Sequence, residues 1–331
     1  MVCLTIWGLL PGSQASVCDV AESHHTVPIT PAQWPGLIIK LQDTDSYAVN
    51  TCCPFGLCSS SGCYGHIRDA GMDLMQAPGI GPLSTWANDH IFFHIPCQYL
   101  TEYNQQCKVH HGRILCNGIR IQTGSCYWYK GDTMQYDHVK EFNDDNSFPI
   151  LDFSSSSLRS PTNADHSYAL TDIDTFLLPF SIPWELMKDI PCSSAALFIG
   201  FQWDLTSHTV LLLLEKCKKY LAVITSWEET PHHTLWEVEA FMVNFSMPPQ
   251  LSLPVEPTLQ SWKRCWASTV IIHSYHVPYP NTSDDLIWWM NILASPPSPR
   301  PIPRPHEVLD LGVFSNASSS TGISIILRGC W

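Results

Sequence analysis

The segment Leu83 to Ile95 constrains the fold most. It is apolar at both ends and carries Asn88-Asp89 in its middle. Asn and Asp accept the positive φ that tight turns demand, so this pattern predicts a β-hairpin and hence an antiparallel sheet. Leu37 to Leu41 and Ser46 to Thr51 repeat the logic as two strands around the polar turn Gln42-Asp43-Thr44-Asp45. Between the two hairpins, Pro54-Phe55-Gly56 breaks the chain. A helix is expected from about Ser60, with Ile67, Ala70, Leu74 and Met75 on one face, ending before Pro78. Strands that return by short turns, with helices between them, make the expected class α+β.

Farther on, Pro96 to about Asp165 is polar and rich in Cys, Tyr and Ser, with only short strand-like pieces such as Ser125 to Lys130. It reads as an insertion. Leu197 to Trp203 and Thr209 to Leu214 read as strands, and Glu215 to Trp227 as a helix. Thr234-Leu-Trp-Glu237 has the form of a capping box. Thr282 to Leu293 reads as a helix with Asp284 and Asp285 in its first turn, where the macrodipole favours acids. The prolines at 296, 297, 299, 301, 303 and 305 suggest a stiff spacer, with a P-x-x-P ligand as the lesser reading. Two strands, Val308 to Ser315 and Gly322 to Leu327, close the chain, and there is no internal repeat.

Composition limits function. The 331 residues carry 17 Lys and Arg against 30 Asp and Glu, a net charge of −13, and only 14% of residues are charged. Lys40 and Arg68 are the only basic residues in the first hundred. Such a balance argues against a generic nucleic-acid-binding surface, which is normally basic. No apolar run approaches the ~20 residues of a membrane-spanning helix. Val2 to Leu10 and Ser13-Gln14-Ala15 resemble parts of a signal peptide, but no Lys or Arg precedes them. The 14 cysteines lack zinc-site spacing, and the expectation is free thiols in an intracellular protein. A secreted, disulfide-stabilised chain is the competing reading. Asn244, Asn281 and Asn316 each open an N-x-S/T triplet, weak support in so Ser-rich a chain.

Four segments carry chemistry as an ordered set. They are Asp19-Val-Ala-Glu-Ser-His-His25, Pro54-Phe-Gly-Leu-Cys-Ser-Ser-Ser-Gly62, Trp86-Ala-Asn-Asp89-His-Ile-Phe-Phe93, and Ile182-Pro-Trp-Glu-Leu-Met-Lys188-Asp, which leads to Phe198-Ile-Gly-Phe-Gln-Trp203. In wording and order they resemble the palm motifs of retrotransposon reverse transcriptases, in a version common in fungal genomes. The resemblance takes in Lys218-Lys-Tyr-Leu-Ala222 and Asp285-Leu-Ile-Trp-Trp289 as thumb-like pieces. Leu311 to Ser318 is similar to the start of a ribonuclease H domain.

The resemblance implies a right-hand polymerase palm, an antiparallel sheet backed by helices, with a helical thumb-like region. It divides the chain into a palm core with a fingers remnant (1–96), the polar insertion (97–165), a palm continuation with the primer-grip hairpin (166–214), a helical thumb or connection (215–294), the Pro-rich linker (295–306) and a ribonuclease H-like start (307–331). It implies RNA-directed DNA synthesis, with Mg²⁺ or Mn²⁺ as cofactor and a template-primer and deoxynucleoside triphosphates as partners. Nucleotidyl transfer of this kind uses two ions ~4 Å apart, held by carboxylates. By resemblance Asp19 and Asp89 are metal ligands, and positions 88 and 89 form the hairpin pair. Lys188 stands where a lysine would offset charge at the leaving pyrophosphate. His24, Phe55, Gly56, Ser59, Ser60 and Gly62 would line the nucleotide and template. Phe198, Ile199, Gly200, Phe201 and Trp203 would form the primer grip.

Departures from the pattern imply impaired activity. Position 88 should be Asp and is Asn, whose neutral amide binds Mg²⁺ poorly. His24 stands where an aromatic residue gates the sugar. Read by themselves, His24 and His25 are two exposed histidines, and Asp19 and Asp89 are surface acids. The first ribonuclease H acid is replaced by Asn316. Asp19 also lies so close to Met1 that most of the fingers are expected to be missing. The competing readings are a nucleic-acid-binding remnant without catalysis and the secreted protein named above.

Overall fold

The computed structural model describes residues 2–41, 45–54, 59–117, 120–123, 126–134, 137–142, 148–156, 159–229, 232–234, 237, 280–302, 313–318 and 322–327. Two compact units divide it. The first holds Met1–Ile199 and Trp203–His208, and the second holds Gly200–Gln202 and Thr209–Trp331.

The first unit runs α1 (Val2–Gly8), β1 (Gln14–Asp19), β2 (Ile38–Lys40), β3 (Tyr47–Val49), α2 (Ser60–Gln76), β4 (Leu83–Trp86) and β5 (Asp89–His94). It continues with α3 (Leu100–Asn117), β6 (Arg120–Thr123), β7 (Cys126–Met134), β8 (Asp137–Phe142), α4 (Leu170–Leu177), β9 (Ile190–Ser193) and β10 (Ala195–Phe198). The next strand, β11 (Phe201–Asp204), spans the division. The central sheet has the order β4-β5-β1-β9. Its β1–β5 and β4–β5 pairs are antiparallel in unbroken register, and β1–β9 is antiparallel with an irregularity between Ala15 and Val17.

The sheet is packed on both faces. Along β5, His90 to His94 are all buried, and Val17 and Cys18 of β1 are buried as neighbours of opposite facing. One core cluster joins Cys18, Leu83 and Phe92 of the sheet to Met75 of α2, Ile80, Tyr168, and Ile173 and Leu177 of α4. The architecture is thus mixed, with antiparallel sheets backed by helices.

Several sequence expectations change. The helix over 60–76 forms, but Ile67 and Leu74 are exposed, and its buried residues are Ser60, Tyr64 and Met75. The 83–95 hairpin forms with Ala87 and Asn88 between its strands, and the positive φ falls on Ala87 (51°) rather than on Asn88 or Asp89. The stretch 97–165 holds strands, β6, β7 and β8, but not strands alone. It contains the 18-residue helix α3. A cluster of Ile95, Tyr103 and Ile150 anchors that helix, and the Asn104 side chain bonds both the N–H and the carbonyl of Ile150 at 2.9 Å. Leu197 to Trp203 is not one strand but parts of β10 and β11, turned at Ile199 and Gly200.

The second unit contains β12 (Thr209–Leu212), α5 (Leu214–Glu228), α6 (Pro280–Ala294), β13 (Arg300–Pro301), β14 (Val313–Ser318) and β15 (Gly322–Leu327). Its core packs Cys217, Ile224 and Trp227 of α5 against Leu286 and Leu293 of α6. Because α6 begins at Pro280, Asp284 and Asp285 stand beyond its first turn. Arg300 and Pro301 pair with Val210 and Thr209, so this part of the proline segment is an edge strand rather than a free spacer. Thr234 and Glu237 make the reciprocal bonds of a capping box, Thr234 N–H to Glu237 Oε2 at 2.7 Å and Glu237 N–H to Thr234 Oγ1 at 3.3 Å. β14 and β15 form an antiparallel pair in which Asn316 stands opposite Ser324.

Candidate active site

Antiparallel pairing of β1 with β5 sets Asp19 directly across from Asp89. The ladder continues one step past the strand end, where Val20 N–H donates to the Asn88 carbonyl at 3.1 Å. A third segment is strapped to the same end of β1. Ala21 N–H bonds the Pro183 carbonyl at 2.7 Å, Glu185 N–H bonds the Asp19 carbonyl at 2.8 Å, and Val20 bridges Trp184. This strap carries Lys188, at the end of the short turn Leu186–Lys188, to the acids.

Asp19 is buried, and both of its carboxylate oxygens are occupied. Asn88 Nδ2 donates to Oδ1, and the Lys188 ammonium donates to Oδ2 in an ion pair. The Asp19 interaction holds the Lys188 amine above its usual range, although the side chain stays largely exposed. Asp89 is pushed up by burial and by the facing charge of Asp19, with Lys188 opposing.

Around the acids lie groups that sequence reading did not single out. Tyr64, on the buried face of α2, has its phenol pushed up to about 12 by burial, with Asp19 and Asp89 adding to the shift and Arg68 opposing it. Its ring lies 5.5 Å from that of His24, which is buried, contrary to the expectation of an exposed histidine. His25 is exposed, as expected. His90 is buried against Trp184, edge to face at 5.3 Å, and donates Nδ1–H to the Asn88 carbonyl at 3.0 Å. Burial pulls its imidazole down to about 4. Spacing offers a signal for Tyr64, which stands one helical turn after Ser60, but only if the buried face is already known.

Asp19, Asn88, Asp89, Lys188 and His24 therefore share one end of the central sheet. Phe55 and Gly56 lie outside the described residues. Ser59 caps α2 through its backbone, with its carbonyl accepting from Cys63 N–H at 2.9 Å and no side-chain cap bond. Ser60 is buried, and Gly62 is exposed with open space where a Cβ would stand. Phe198 and Trp203 are buried, and Trp203 Nε1–H reaches the Phe198 carbonyl at 3.2 Å. Ile199 and Gly200 both have positive φ, 50° and 83°, which is the two-residue turn pattern. Phe201 is buried.

The donor set does not fit a pair of divalent ions. Mg²⁺ requires oxygen ligands in near-octahedral array. Here Asn88 directs its amide N–H, not its oxygen, at Asp19, and an ammonium already holds the other Asp19 oxygen. Among the described residues no three His, Cys, Asp or Glu side chains gather as a metal site. The described cysteines are free thiols, Cys18, Cys53 and Cys217 among the buried ones. Among the described residues no helix is long and apolar enough to cross a membrane.

No protein-family profile matches the chain. No curated protein matches it. Among solved structures it is similar to the foamy viral protease-reverse transcriptase. In complex with an RNA/DNA hybrid that structure shares 12% identity over 86% of this chain and 28% of its own, with a TM-score of 0.43. The dRH form with double-stranded DNA shares 12% identity over 86% of this chain and 36% of its own, with a TM-score of 0.42. A further complex with double-stranded DNA shares 14% identity over 97% of this chain and 50% of its own, with a TM-score of 0.43. The chain thus spans half or less of the length of these three structures, and the resemblance is distant.

Proposed function

We propose that this chain descends from the palm and thumb region of a reverse transcriptase and no longer performs metal-dependent DNA synthesis. The descent rests on the four ordered motifs, with retrotransposon origin supported by the thumb-like segments and the ribonuclease H-like start at Leu311 to Ser318. The loss of activity rests on one observation. The carboxylate that should ligate the ions, Asp19, is held at both oxygens by Asn88 and Lys188. Two-ion nucleotidyl transfer needs that carboxylate free. A lysine locked in an ion pair is also a poor proton donor, because its partner stabilises the charged form. By this reading a template-primer duplex is the partner class, bound without extension.

Primer extension with deoxynucleoside triphosphates and Mg²⁺ or Mn²⁺ tests it. The expected result is no incorporation above that of Asp19→Ala. Incorporation that Asp19→Ala abolishes would sink the reading. Asn88→Asp alone is expected not to restore synthesis, because Lys188 still occupies the second oxygen of Asp19.

A further inference from the structure

The Asp19–Asp89 pair poses an electrostatic problem that the chain solves internally. Two facing carboxylates, one of them buried, repel each other unless a cation lies close by. Ordinarily a divalent ion could supply that charge. In this chain the charge comes from the protein alone, through Lys188 with the help of Asn88. Asn88 removes a charge from the hairpin tip and turns its amide N–H onto Asp19 Oδ1. The strap through Pro183, Trp184 and Glu185 is hydrogen-bonded to the end of β1, which fixes Lys188 beside Oδ2. Arg68, the other cation of the neighbourhood, is engaged elsewhere, bonding its neighbour Asp69 at 2.7 Å.

We propose that Lys188 is the resident counter-ion of this acid pair, and that the Lys188–Asp19–Asn88 clamp excludes divalent cations from the site. The inference rests on the reading of the pair as a former metal site. Its physics is competition. A divalent ion must break an ammonium–carboxylate contact and an amide hydrogen bond before it gains one Asp19 oxygen. Charge-assisted bonds of this kind are among the stronger ones a protein makes. Opening the clamp from both sides should therefore create an ion site where the parent chain has none.

Mn²⁺ alone is the probe, with the free ion followed by its electron paramagnetic resonance signal. The parent chain and Asp19→Asn should bind Mn²⁺ equally. The double variant Asn88→Asp/Lys188→Met should bind it at least tenfold more tightly, and adding Asp19→Asn should remove that gain. A tenfold loss of Mn²⁺ affinity in the parent chain on Asp19→Asn would overturn the proposal. So would a folded double variant that binds no better than the parent. A second readout needs only the parent chain. Lys188 should acetylate several-fold more slowly than the exposed Lys218 and Lys219, and Mn²⁺ should leave its rate unchanged. Acceleration of Lys188 labelling by Mn²⁺ would mean that the ion displaces the ammonium, and the proposal would fall. Asp19-dependent Mn²⁺ binding without primer extension overturns the clamp alone, whereas Asp19-dependent extension overturns the proposed function.

Discussion

Asp89 carries a cost that its neighbours only partly offset. Burial and the facing Asp19 push its carboxyl above the ordinary value of 3.8. Between that value and the raised one, the folded state binds a proton that the unfolded chain has released. Stability therefore falls as pH rises through the window, and the full penalty is present at neutral pH. Asp89→Asn should raise the urea midpoint at pH 7, and the gain should shrink as pH falls toward 4. An equal gain at both pH values, or a loss at pH 7, would contradict this assignment. The pairing of Asp19 with Asp89 was legible only through the resemblance of the ordered motifs, because β1 and β5 meet across a long sequence separation that no turn fixes. The burial of Tyr64, His90 and His24 was not legible. Their burial comes from packing α2 and the 183–188 strap against the sheet end, and neither contact leaves a periodic mark in the chain.

Elements were legible where turn chemistry was explicit and illegible where packing overrode polarity. The end of α2 is explicit, with Pro78-Gly79 following the helix. Ile80 N–H bonds the Met75 carbonyl at 3.1 Å and Gly79 N–H bonds that of Gln76 at 2.8 Å, a Schellman closure sealed by Met75 and Ile80 in one core cluster. By contrast α3 reads as polar: among its described side chains Leu100, Tyr103 and Cys107 pack on the core cluster, and a polar side chain, Asn104, makes its anchor to Ile150. Two of the turns with unusual φ should respond to substitution with opposite signs. At Gly79 φ is +101°, and a Cβ would stand 2.9 Å from the Leu151 backbone nitrogen. Gly79→Ala should thus cost at least about 2 kcal/mol, combining left-handed strain and overpacking. At Ala87 the left-handed strain already exists. Relieving it with Ala87→Gly should gain about 0.5–1 kcal/mol after the extra chain entropy of glycine. Urea denaturation of both variants checks the pair, and a stabilising Gly79→Ala or a destabilising Ala87→Gly would show that the turns are set otherwise.

Across the whole molecule the charge of −13 has two opposed consequences in acid. Protonation lowers the net charge and relieves self-repulsion. It also threatens two buried histidines of the first unit, His90 and His94. His94 is fully buried, with Nδ1–H donated to the Tyr168 carbonyl at 2.9 Å and Nε2 facing Ser16 Oγ at 2.7 Å. Burial holds His94 down near 3 and His90 near 4, against an ordinary 6.5. From 6.5 downward the unfolded chain therefore takes up protons that the folded unit refuses. Each histidine removes up to about 1.4 kcal/mol per pH unit over that range. Surface repulsion is screened by salt and spread over the molecule, so the localised histidine effect should win. Stability should hold from pH 8 to about 6.5 and then fall toward pH 4, with relief of the Asp89 penalty opposing the fall near its end. The decisive comparison is His90→Asn, which keeps a polar side chain but cannot titrate. Its urea midpoint should decline about half as steeply between pH 6.5 and 4.5 as that of the parent chain. If the two slopes coincide, acid sensitivity comes from elsewhere, and the neutral His90 at the base of the acid hairpin is not what ties the fold to pH.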